Sequence, residues 1–60
     1  MRIMGLESEQ VERIAKLLSN APDHATMKQW AILYILDPSY SRAAIAQAIH
    51  DVEVAKGWHQ

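Results

Sequence analysis

Hydrophobic positions along this chain of 60 residues fall into three stretches separated by two proline turns. In the first stretch Val11, Ile14, Ala15 and Leu18 recur at i, i+3, i+4 and i+7. That spacing puts them on one stripe of a helix over residues 8–19, with Leu17 widening the stripe. Ser8 is a capping residue type at the start of that helix. Leu6 and Val11 have the spacing of a hydrophobic staple, which would place the cap at Glu7 instead. Glu9 with Arg13, and Glu12 with Lys16, are acid-before-base pairs four apart, each worth about 0.3 kcal/mol on a helix surface. The third stretch predicts a helix over residues 41–56. Ile45, Ala48, Ile49, Val52 and Ala55 share its inner face, and Gln47, His50 and Asp51 point outward. Its alanines favour helix and leave room for a neighbouring helix. Gly57 suits the left-handed position after the last turn, from which Trp58 can fold back on Val52.

The middle stretch is different. Trp30-Ala31-Ile32-Leu33-Tyr34-Ile35-Leu36 is an unbroken run of seven apolar residues. Asp23 after Pro22 offers a cap, Thr26 with Gln29 offers a capping box one turn later, and Pro38 disfavours helix at Asp37. A helix over residues 23–36 follows. Trp30, Ile32 and Tyr34 would also suit a buried strand, but no other segment alternates in a way that could partner one. A helix apolar all round must be covered all round. The reading is therefore an all-α, compact three-helix domain with the middle helix as its core element and one stripe each from helices one and three upon it. A further side of the middle helix still needs cover. A second copy of the chain supplies it most simply, since symmetric dimers are the commonest oligomers. The alternative is that Met1, Ile3, Met4 and Leu6 fold over it.

Composition narrows the function. Sixty residues form one domain, and so small a fold is marginally stable without disulfides, a metal or association. There is no cysteine, which excludes disulfides and cysteine-ligated zinc and is compatible with a cytoplasmic protein. Six Lys and Arg face seven Asp and Glu, and the basic residues are spread along the chain. Nucleic-acid binding ordinarily needs them clustered. The longest apolar run, seven residues, falls far short of the roughly twenty of a membrane span.

Catalytic apparatus is not visible. Ser8, Ser19, Ser39 and Ser41 fall at predicted helix ends and turns, where capping accounts for them. His24, His50 and His59 are far apart in sequence, and His50 with Glu53 at i, i+3 supplies only two ligands. Asp51 and Glu53 lie on different sides of helix three, and Gly5 and Gly57 cannot form a phosphate loop. No enzyme, metal site or cofactor is expected.

The stretch from Ile32 to Ile49, through Asp37-Pro38-Ser39-Tyr40-Ser41-Arg42 and Ile45-Ala46-Gln47-Ala48-Ile49, resembles the opening of a winged-helix or helix-turn-helix domain. The resemblance covers under a third of the chain and implies a DNA-binding regulator. It departs from the family pattern at His50, where the tight turn wants glycine. The following Asp51-Val52-Glu53-Val54 is acidic and in phase with the helix before it.

The expectation is a small non-enzymatic protein-interaction module, an adaptor, regulator or inhibitor that self-associates and binds another protein. Its size suits a bacterial or phage protein. Ile32, Tyr34, Ile35, Tyr40, Arg42 and Trp58 are the candidate interface residues, because aromatic and Arg side chains dominate interface energetics.

Overall fold

The computed structural model describes residues 4–58, with side chains from residue 8 onward. It contains three helices: α1 (Met4–Leu18), α2 (His24–Ile35) and α3 (Arg42–Lys56). Their ends follow from local chemistry. Asp23 precedes α2 in extended geometry, and its carboxylate accepts the Thr26 N–H at 2.8 Å. Thr26 thus lies inside the helix and the capping box with Gln29 is not used. Ser41 caps α3, its hydroxyl accepting the Ala44 N–H at 3.3 Å. Gly57 has φ 74°, and Trp58 N–H and Gly57 N–H return to Glu53 O and Val54 O, a Schellman ending.

The start of α1 is a correction. The helix is already formed at Met4, the first described residue, so neither Ser8 nor Glu7 caps it, and Ser8 stands exposed within it. A serine can stand mid-helix with its side chain in water, and nothing between Met4 and Ser8 stops a helix outright. Gly5 costs only about 1 kcal/mol there. The cover expected from Met1, Ile3, Met4 and Leu6 lies outside the described side chains.

Side-chain contacts fix the topology. Gln10 of α1 reaches the start of α3, where Ser41 N–H donates to its Oε1 at 3.0 Å. Farther along, Val11, Ala15 and Ser19 line one wall of a shallow groove, with Val52 and Ala55 on the other. So α1 and α3 run side by side in the same direction. His24 at the start of α2 bonds Glu53 near the end of α3, so α2 runs the opposite way.

The core sits where the helices meet. Ile14, Leu18, Met27 and Ile45 are its fully buried large side chains, joined by Ala21, Ala31, Ala48 and Val52. Burying each large one is worth about 1.5–3 kcal/mol. The closest packing is between α1 and α3, and α2 lies against them from one side. This overturns the expectation that the middle helix is the core element. Only Met27 and Ala31 of α2 are buried. The predicted stripes of the outer helices are present, but they face each other first. Ala44 and Ala48, both small, are buried on α3. Leu17 and Ala55 are exposed and do not extend it.

Glu9–Arg13 and Glu12–Lys16 do not close. The ion pair among the described residues is His24–Glu53. Exposed pairs on a helix surface gain little over hydration, and closing them costs side-chain freedom.

Candidate functional site

On α2, Met27 and Ala31 face the core, with Trp30 and Tyr34 half-buried beside them. The opposite side carries Ala25, Lys28, Gln29, Ile32, Leu33, Ile35 and Leu36, all exposed. At 3.6 residues per turn these positions form one outward face. Its first half is polar and its second half is aliphatic. Ile32, Leu33, Ile35 and Leu36 are 52%, 66%, 40% and 75% exposed. Four large aliphatics at one helix end make a contiguous apolar patch, and such patches on small proteins mark interaction surfaces.

The ends of the bundle are closed by aromatic contacts. Tyr34 and Tyr40 meet edge to face, with centroids 5.1 Å apart and planes at 83°. Burial raises the Tyr34 hydroxyl above its ordinary 10.0, and Tyr40 adds to the shift. At the other end His24 stacks on Trp58 at 5.6 Å, and Lys56 Nζ stands 5.8 Å from that ring. Glu53 holds His24 Nε2 at 2.9 Å. His50 and Glu53, at i, i+3, supply only two candidate ligands. Glu53 bonds a histidine on another helix, a partnership that sequence spacing does not reveal.

The predicted interface residues therefore divide. Ile32 and Ile35 are exposed on the outer face of α2, and Arg42 is exposed on the first turn of α3. Tyr34, Tyr40 and Trp58 are half-buried and packed against the core. Leu33 and Leu36, the most exposed of the aliphatics, were not among the predicted residues. Their signal was present in the same apolar run, but a helix apolar on all sides does not announce which side stays out.

Other chemistry is sparse. Ser19 and Ser41 spend their hydroxyls on helix ends. Among the described residues no three His, Cys, Asp or Glu side chains gather as metal ligands. No described helix is long and apolar enough to cross a membrane. Helix α3 passes through His50 without a break, so the chain departs there from the helix-turn-helix pattern, as its sequence does. No protein-family model, curated protein or solved structure matches this chain.

Proposed function

We propose that this chain is a small non-enzymatic protein-interaction module, an adaptor, regulator or inhibitor that works by helix–helix contact and associates with itself. Its working surface is the outer, C-terminal half of α2. One observation carries the reading. Ile32, Leu33, Ile35 and Leu36 stand exposed together, although burying each fully would be worth about 1.5–3 kcal/mol. An amphipathic helix face laid against another helix is a common recognition mode.

The test is Leu33→Glu, compared with wild type for solution mass across a concentration series and for capture of binding proteins. Leu33 faces water, so helix content by circular dichroism should not change. Loss of both association and capture supports the reading. Association and capture that survive both Leu33→Glu and Leu36→Glu would overturn it.

A further inference from the structure

Resting on that reading, we infer that the occupant of the α2 face is α2 of a second copy, crossing antiparallel at the C-terminal half. Ile32 of each chain then packs on Leu36 of the other.

Spacing is the first support. Ala25, Gln29, Ile32 and Leu36 are all exposed and stand four, three and four apart. That is the seam spacing of helices that pair, and here it points away from the chain's own core. Self-complementarity is the second. A two-fold contact lays one surface on itself, so apolar meets apolar only if the axis passes through the apolar half. The midpoint of Ile32, Leu33, Ile35 and Leu36 is level with position 34. An antiparallel crossing there sets Ile32 against Leu36 twice, with Leu33 beside its own copy.

Charge chooses the orientation. A parallel pair in register would bring Lys28 near Lys28 and seat Gln29 on Gln29, taking polar groups out of water and opposing like charges. It would also align the two helix dipoles. The antiparallel crossing sets the two Gln29 positions about 15 Å apart along the axis and leaves both solvated. The small core is the last support. With only four large side chains fully buried among the described residues, the fold is of the size that gains most from association, and a second copy is always at hand. The contact is small. A standard interface takes about 800 Å² per partner, close to a fifth of the 4281 Å² this chain exposes. Four side chains on one helix end supply less than that, so the dimer should be weak and concentration-dependent.

The chain has no cysteine, so single cysteines report geometry cleanly. Disulfides need Cα atoms within about 7 Å. Under mild oxidation of the full chain, Gln29→Cys should cross-link to itself at least tenfold less than Ile32→Cys does with Leu36→Cys, since its two copies lie about 15 Å apart along the axis. A mixture of Ile32→Cys and Leu36→Cys should yield the mixed dimer in preference to either homodimer. Both tested faces are exposed, and circular dichroism checks that each variant folds. Self-cross-linking of Gln29→Cys, with the Ile32→Cys and Leu36→Cys homodimers formed in preference to the mixed dimer, would overturn the antiparallel crossing in favour of a parallel seam. No cross-link at any position, with a single-chain mass at the highest concentration, would overturn the second copy as occupant. If Leu33→Glu still abolished capture of a different protein in that case, the interaction surface would stand and only its assigned occupant would fall.

Discussion

Gly57 has φ 74°, and nothing lies within 4 Å of where its Cβ would be. A side chain there meets open space, so any penalty belongs to the backbone alone. Gly57→Ala should cost about 1 kcal/mol, measured by urea denaturation, with core packing unchanged. Asp23 offers a test of the opposite kind, in which charge matters and not conformation. Its carboxyl is held below its ordinary 3.8 chiefly by the Thr26 N–H it accepts. A lowered folded value means the stabilisation is present above the ordinary value and is lost as pH falls through the folded one. The melting temperature of wild type should therefore fall on acidification below about pH 4. Asn caps as well as Asp but does not titrate. Asp23→Asn should lose less on the same acid limb, and thermal melts of the two proteins from pH 6 to pH 2 make the comparison. Gln10 shows a third kind of residue effect. One amide accepts from Ser41 N–H at 3.0 Å and donates to Ser39 O at 3.3 Å, tying α1 to the turn before α3. Gln10→Leu should cost about 1 kcal/mol by the same denaturation measurement.

At the scale of the element, α2 is two helices in one. Its inner face carries Met27, fully buried, and its outer face carries Leu33, 66% exposed. Met27→Ala should cost about 2–5 kcal/mol, whereas Leu33→Ala should change the stability of the isolated chain by no more than about 0.5 kcal/mol. Equal losses at both positions would mean that the outer face is covered within the chain. The same contrast explains what the sequence could and could not disclose. Asp23, Ser41 and Gly57 bond groups three positions away, so the start of α2 and both ends of α3 were legible from short patterns. The stripes Ile14 with Leu18, and Ile45 with Ala48 and Val52, were legible because polar residues fill the other sides of α1 and α3. In α2, Trp30 to Leu36 offers no such contrast. Periodicity predicted a helix there but was blind to its orientation, and the expectation of a fully covered middle helix followed from that blindness. Met27 and Ala31 face inward against α1 and α3, which leaves Ile32, Leu33, Ile35 and Leu36, on the opposite side of the same helix, outside. The links Gln10–Ser41 and His24–Glu53 join residues 31 and 29 positions apart, a range at which no local pattern carries information.

At the scale of the whole molecule, stability and association become one question. A chain of 60 residues buries only about 60% of the surface its unfolded form exposes. Here Ile14, Leu18, Met27 and Ile45 are the only large side chains fully buried among the described residues. The isolated fold is therefore expected to be marginal, and whatever binds the folded chain but not the unfolded one adds to its stability by mass action. If α2 pairs with a second copy, the added stability grows with protein concentration. Raising the concentration from ten to a thousand times the dimer dissociation constant should lift the melting temperature by several degrees, since each 1 kcal/mol moves it about 4–8 °C in a domain this small. The measurement is a thermal melt at each point of a concentration series, with molar mass by light scattering on the same samples. Leu36→Glu places a charge on the seam and leaves the core untouched, so it should abolish the concentration dependence and hold the melting temperature at the dilute wild-type value. A wild-type melt that does not move over the whole series, with a mass of one chain throughout, would separate the two properties. The apolar end of α2 would then contribute nothing to the chain's own stability, and its exposure would be maintained solely for a different partner.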